Sequence, residues 1–181
     1  MNLILKNGKE VLIRLLRQAD SDKLSDYLEQ LSDESRSRFQ PHPFDRLSIK
    51  HICNNLPGDT FRYVGIDENA DQIVAYMLLY RGMMIWDAKR YAARDHRFDA
   101  TTCVTFAPSV ADDWQSSGLG SSMTDYLEAF LKEQGIRLIV LWGGVQASNE
   151  KAINFYRKHG YQHMASFQHE GKDNYDMIKV L

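Results

Sequence analysis

The chain has 181 residues, 44% of them hydrophobic and 25% charged, enough apolar material to bury one full core without metal or disulfide staples. Lys and Arg total 22 against 24 Asp and Glu, a formal charge of −2, which excludes a general basic surface for nucleic acid and an acidic tail. No apolar run spans a bilayer, the start Met1-Asn2-Leu3-Ile4-Leu5-Lys6 lacks signal-peptide shape, and two cysteines, Cys53 and Cys103, are too few for a disulfide framework. The expectation is a cytoplasmic domain over residues 1–181, with no nucleic-acid or membrane partner, no internal repeat and no low-complexity stretch.

Val11 to Leu16 reads as a β-prone run. Asp20-Ser21 forms a capping pair ahead of Leu24, Tyr27, Leu28 and Leu31, whose spacing makes one stripe of an amphipathic helix. A second helix fits Ser48 to Leu56 and stops at Pro57-Gly58; between the two lies Arg36 to Phe44, where Pro41 and Pro43 argue for an ordered loop. Strands are expected at Phe61 to Ile66, Gln72 to Tyr80 and Thr101 to Val110, whereas the basic stretch Arg81 to Asp99 takes no assignment. Leu119, Met123, Tyr126, Leu127, Phe130 and Leu131 hold a 3.6-residue period up to Gly135. Ile136 to Trp142 suits a strand buried on both faces, Asn149 caps a helix ended by Gly160, and strands Tyr161 to His169 and Tyr175 to Leu181 close the chain. The order βααβββαβαββ describes helices layered on one mixed sheet.

The informative stretch is Gln115-Ser116-Ser117-Gly118-Leu119-Gly120, a Gln-x-x-Gly-x-Gly turn that links a strand to the most regular helix. Unpaired N–H groups at a helix start favour an anion, the glycines permit close approach, and Ser117, Ser121 and Ser122 add hydroxyls. The glycine order is neither that of a Walker loop nor that of a dinucleotide fold. A plain tight connection explains the turn equally well from these residues alone. Pro108 removes a ladder donor just before it, and Trp142-Gly143-Gly144-Val145 breaks the facing strand. Two parallel strands diverging there leave a gap that an extended, amide-bearing ligand fills. Pyrophosphate at one end and an amide arm at the other describe coenzyme A.

Together with Ser148-Asn149-Glu150-Lys151-Ala152-Ile153-Asn154-Phe155-Tyr156 followed by Gly160-Tyr161, this pattern resembles the GNAT acetyltransferase superfamily over nearly the whole chain. The resemblance implies an α/β (α+β) fold: a single GNAT-type domain with a mixed, mostly antiparallel sheet splayed between its fourth and fifth strands and helices on both faces. It implies acetyl-CoA as co-substrate, no metal, and acetyl transfer by direct attack of a primary amine on a small-molecule or peptide acceptor, with a homodimer as one possible assembly. Pro108, Ser109 and Val110 would meet the pantetheine amides, with backbone N–H near Val110 on the thioester carbonyl. Gln115, Ser116, Ser117, Gly118, Leu119, Gly120 and Ser121 would hold the pyrophosphate, and Asn149 would touch the cofactor arm. Tyr156 would protonate the leaving thiolate, although its residues alone favour a packing tyrosine.

One position departs from the family. Thr105 is the candidate catalytic residue where many relatives carry a basic glutamate, with Cys103 on the same strand face; a hydroxyl can at most position water, so proton removal is left to ordered water, His42 or Glu34. The acceptor is expected over Arg36 to Phe44 and Arg81 to Arg97. Gly160 breaks the helix between His159 and His163, so their spacing does not put them on one face, and with His169 they read as solvent-facing strand residues rather than metal ligands. A non-catalytic acyl-CoA sensor on the same fold is the second reading.

Overall fold

The structure is a computed structural model that describes residues 1–56 and 58–181; Pro57, half of the expected Pro57-Gly58 stop, lies outside the described residues. The chain forms two compact units, Met1–Leu78 with Ala107–Asp125, and Leu79–Phe106 with Tyr126–Leu181.

In the first unit, β1 (Asn2–Ile4) pairs antiparallel with β2 (Glu10–Leu15), and β2 pairs antiparallel with β3 (Thr60–Asp67) from Leu12↔Ile66 to Leu15↔Tyr63. β1 was not expected, being too short to show a period. Helix α1 (Ser21–Gln30) buries the expected stripe: Leu24, Tyr27, Leu28 and Leu31 are all in the core. Its expected cap is different. Asp20 gives no side-chain cap to α1 and instead accepts both guanidinium nitrogens of Arg14, at 2.6 and 2.8 Å, and Arg17 N–H at 2.8 Å, closing a short 3-10 turn over Gln18–Asp20.

Part of the expected loop is helical. Arg36 to Arg38 finish α2 (Asp33–Arg38), whose cap Ser32 accepts Ser35 N–H, and Phe39 beyond it is buried. α3 (Arg46–Asn54) starts and ends two residues before its expected limits because Asp45 caps it through Ser48 N–H at 2.9 Å. Consequently Ile49 and Cys53 reach the core while Leu56 stays exposed. β4 (Gln72–Arg81) runs from this unit into the second. On β3, a Cβ at Gly65 would come within 3.1 Å of Met123 and 3.2 Å of Val11, so glycine lets the helix bearing Met123 settle directly on the sheet.

In the second unit, the unassigned basic stretch contains a helix, α4 (Ile85–Ala92). β5 (Cys103–Val110) runs parallel to β6 (Leu138–Leu141) from Cys103↔Leu138 to Phe106↔Leu141. β6 pairs antiparallel with β9 (Lys172–Val180), which also carries the two-residue β7 (Val145–Gln146) and β8 (Gln162–His169). Helix α5 (Leu119–Glu133) begins in the first unit and ends here, and α6 is Glu150–Lys158. The result is a mixed α/β fold on one nine-stranded, mostly antiparallel sheet of order β1-β2-β3-β4-β5-β6-β9-β7, with β8 on β9. β5 and β6 are the fourth and fifth of the expected strands.

Burial raises the Asp20 carboxyl, but the bonds from Arg14 and Arg17 outweigh it and hold the group below its ordinary range. A lowered folded value stabilises above the unfolded pKa and is lost as pH falls through the folded one. Asp20→Asn should therefore cost about 2 kcal/mol at pH 7 by urea unfolding, as expected for hydrogen bonds to a charged group. The gap to wild type should shrink below about pH 4. A gap unchanged down to pH 2 would show that the carboxylate's charge contributes nothing.

Candidate active site

The last residues of β5 belong to the first unit. Val104, Thr105, Phe106 and Ala107 are buried, whereas Pro108, Ser109 and Val110 are half-buried. Ala111 N–H donates to Val74 O at 2.9 Å, and the antiparallel ladder to which that bond belongs sets Tyr76 across from Ser109. The Ser109 hydroxyl lies 2.7 Å from the Tyr27 hydroxyl. Burial pushes both tyrosine hydroxyls well above their ordinary range, so both stay protonated donors.

After β5 a 3-10 turn, Asp112–Trp114, buries Trp114 beneath the Lys9 ammonium, 3.9 Å from the ring centroid. Asp112 is a tie, accepting Ser32 N–H at 2.8 Å and the Ser35 hydroxyl at 2.6 Å. Gln115 turns back over this tie, with its amide nitrogen 3.3 Å from Val110 O and from Asp112. The Ser117 hydroxyl donates to Trp114 O at 2.6 Å and accepts Leu119 N–H at 3.3 Å, so its proton is spent inside the turn. Leu119 is fully buried, leaving only its backbone to a ligand. Ser116 and Gly118 are exposed with φ of +61° and +92°, and nothing lies within 4 Å of a Cβ built on Gly118. Gly120 and Ser121 form the half-buried first turn of α5. The stretch is thus an exposed, glycine-turned entry into a fifteen-residue helix whose dipole favours an anion.

Beside Tyr76 the same unit holds a pocket of about 500 Å³ lined by Arg36, Gln40, His42, Pro43 and Phe44. His42 Nδ1 lies 2.8 Å from Pro43 O and must donate to it, which leaves Nε2 as the acceptor, 3.3 Å from the Tyr76 hydroxyl. Burial lowers the His42 pKa, and the Arg62 charge adds to that. Of the two side chains considered for proton removal, Glu34 is exposed and paired with Arg38 at 2.7 Å, whereas His42 lines the pocket. Tyr27, Tyr76 and Arg62 were not singled out from the sequence. For Arg62 a signal existed: it alternates with Val64 and Ile66, both buried, on one face of β3.

The second unit holds the remaining expected residues, and one of them is corrected. Thr105 is fully buried and donates to Gly82 O at 2.9 Å, so it ties the sheet together and has neither the exposure nor the proton to position water. Cys103 is buried beside it, its thiol pushed up to about 12 by burial. Asn149 caps α6 as expected, accepting Ala152 N–H at 3.1 Å. The Tyr156 ring packs between Phe155 and Tyr161, with centroids 5.4 and 5.3 Å away, and burial raises its phenol well above the ordinary value.

Nor is the basic stretch a free cationic flap. Arg90 bonds Asp87 at 2.6 Å and Asp176 at 2.8 Å, both buried, and Arg94 donates to Ser166 O. The second Asp87 oxygen accepts Gly143 N–H at 3.2 Å. There β6 has ended, its ladder closing with Trp142 N–H on Phe106 O, and Gly144 turns at φ +71° where a Cβ would meet Tyr175 O at 2.6 Å. His159 and His163 pack on Phe155 and Tyr175. Among the described residues no three His, Cys, Asp or Glu side chains are grouped to hold a metal, and no helix is long and apolar enough to cross a membrane.

Comparison with known proteins gives one family. The model of the acetyltransferase (GNAT) family matches residues 24–161. No curated protein matches the sequence. Among solved structures, the GNAT domain of PAT from S. lividans superposes with a TM-score of 0.76 at 23% identity, covering 100% of this chain and 96% of that one. Ribosomal-protein-S5-alanine acetyltransferase from Vibrio fischeri gives 0.74 at 13% identity, covering 99% and 96%. The aminoglycoside acetyltransferase AAC(6')-Ib in complex with coenzyme A gives 0.68 at 15%, covering 94% of each. At such identities these structures establish the fold.

The two glycine turns should respond differently to one methyl group. Gly144→Ala meets a backbone oxygen and should lose about 3 kcal/mol, the upper end for forced overpacking. Gly118→Ala meets open space and should lose about 1 kcal/mol, the conformational cost of a left-handed backbone alone. Urea titrations that rank them the other way round would show that Gly144 relaxes at no cost.

Proposed function

Because the chain belongs to the acetyltransferase (GNAT) family, we propose that residues 1–181 work as one cytoplasmic domain transferring the acetyl group of acetyl-CoA to a primary amine of a small-molecule or peptide acceptor. Family membership makes the chain an acyltransferase rather than the non-catalytic sensor considered from sequence. Acetyl transfer to an amine is general to the family; coenzyme A is the ligand that best suits the turn. The observation that carries this is the exposed run of Ser116 and Gly118 at positive φ, open above Gly118 and leading straight into α5.

Acetyl-CoA, when bound, supplies an activated thioester and a good leaving group. Pro108, Ser109 and Val110 offer backbone to its amide arm, the half-buried end of β5 being suited to an added strand-like partner. Ser116, Gly118, Leu119, Gly120 and Ser121 present the N–H groups of the turn and first helical turn to the pyrophosphate. Gln115 and Ser117 serve this indirectly, their polar atoms holding the turn's shape. Asn149 fixes the start of α6, the helix that carries Tyr156. Tyr156, kept protonated by burial, returns a proton to sulfur as the C–S bond breaks.

Coenzyme A should raise the melting temperature, since a ligand that binds only the folded chain stabilises it by mass action, and ATP should do so far less. An equal shift from ATP would overturn the coenzyme A assignment. Tyr156→Phe should lower kcat roughly a hundredfold while leaving acetyl-CoA affinity nearly unchanged, the pattern of an interaction made only in the transition state. A normal kcat in that variant would return Tyr156 to a packing role.

A further inference from the structure

The pocket beside Tyr76 has an unusual charge inventory. Its lining of Arg36, Gln40, His42, Pro43 and Phe44 includes a guanidinium and no carboxylate. Arg36 spends Nε on Leu31 O at 3.0 Å and Nη2 on Glu29 O, both backbone carbonyls, so its charge meets no counterion there. Among the described residues its Nη1 has no partner. The nearby acids are engaged elsewhere: Glu34 with Arg38, Asp26 and Glu29 with Arg46, Asp112 with Ser32 and Ser35.

A second cation stands behind the pocket wall. The Arg62 charge acts on the Tyr76 hydroxyl and on His42, while its Nε and Nη1 are buried without any hydrogen-bond partner. His42 is held neutral by burial and cannot balance either cation. Phe44 stacks on Phe39 at 6.1 Å, and Phe39 meets Tyr76 edge-on at 6.0 Å, so the floor is aromatic. Tyr76 in turn faces Ser109, in the stretch of β5 assigned above to the coenzyme A arm. Two uncompensated guanidiniums attract an anion and repel a second ammonium.

We propose that this pocket selects acceptors that carry an anionic group, carboxylate or phosphate, in the same molecule as the amine, and rejects polycationic ones. The proposal rests on the acetyltransferase reading and adds the acceptor's class to it. Arg36 is the contact and Arg62 the background charge.

The test uses the full chain and matched acceptors: an amino acid, its carboxamide, an aminoalkyl phosphate and a diamine of similar length, followed by thiol release. Wild type should favour the amino acid or the aminoalkyl phosphate over the carboxamide by about tenfold in kcat/KM, mostly through KM, as for one well-placed charge-assisted bond. Whichever ratio is larger names the anion. The diamine should be poorest, and the preference should fall as salt rises. In Arg36→Gln the ratio should drop to within about threefold, and Arg36→Lys should restore part of it; Arg62→Gln gives the same reading should Arg36→Gln fail to fold. A carboxamide or diamine as good as both anionic acceptors in wild type would overturn the proposal, as would a full ratio surviving in both Gln variants. Binding separates this from the reading beneath it. If no acceptor turns over but the N-acetylated amino acid still raises the melting temperature in an Arg36-dependent way, the pocket chemistry stands and the catalytic reading falls. Turnover without any anion preference does the reverse.

Discussion

Arg90 lies between two buried carboxylates, and the end of β6 depends on that arrangement. Its guanidinium bonds Asp87 from its own helix and Asp176 from β9, and packs over the Phe167 ring at 3.9 Å. Taking three charges out of water is costly, and only mutual pairing with hydrogen bonds to spare offsets it. Burial holds the Asp87 carboxyl above its ordinary range, and the bonds from Gly143 and Arg90 offset that only in part. The spare Asp87 oxygen on Gly143 N–H is what matters for the sheet. It holds the chain where β6 leaves β5 and turns to pair with β9 through β7. Removing Arg90 would leave two buried carboxylates without their counterion beneath that turn.

The first unit fastens its glycine turn and its pocket by polar contacts rather than by packing alone. Tyr27 of α1 meets Ser109 of β5, and Asp112 after β5 meets the cap of α2. One bond anchors a helix to the strand, the other anchors the start of the next helix to the turn. The segment from Phe39 to Phe44 hangs between these helices and the sheet, with its rings gathered round Tyr76. Backbone geometry at the glycine turn after β5 and the shape of the neighbouring pocket therefore share the same few supports.

What was legible in the sequence followed the hydrophobic period. Leu24, Tyr27, Leu28 and Leu31 gave α1 because all four are buried, and the long apolar face of α5 placed the glycine turn at its start. Helix α4 was not legible for the opposite reason. Its apolar Ile85 and Trp86 are exposed, at 61% and 68%, while Asp87 is buried at 2% against Arg90. A period in hydropathy cannot report a face that is buried through ion pairs. Thr105 misled in the same way: a family position suggested chemistry, but the hydroxyl was needed by a strand-end carbonyl at Gly82. Arg36 and Arg62 at the Phe39–Phe44 pocket could not be read as unpaired from sequence, since pairing is settled by residues distant in the chain.

The two cysteines of the chain, Cys53 and Cys103, are both buried at 2% exposure or less, and burial raises both thiols. Thiolate, not thiol, attacks disulfides and electrophiles. Under the function proposed above, the released product is itself a free thiol, met together with its oxidised forms. Sealing both sulfurs in their protonated state keeps this protein's own cysteines out of thiol exchange with such molecules.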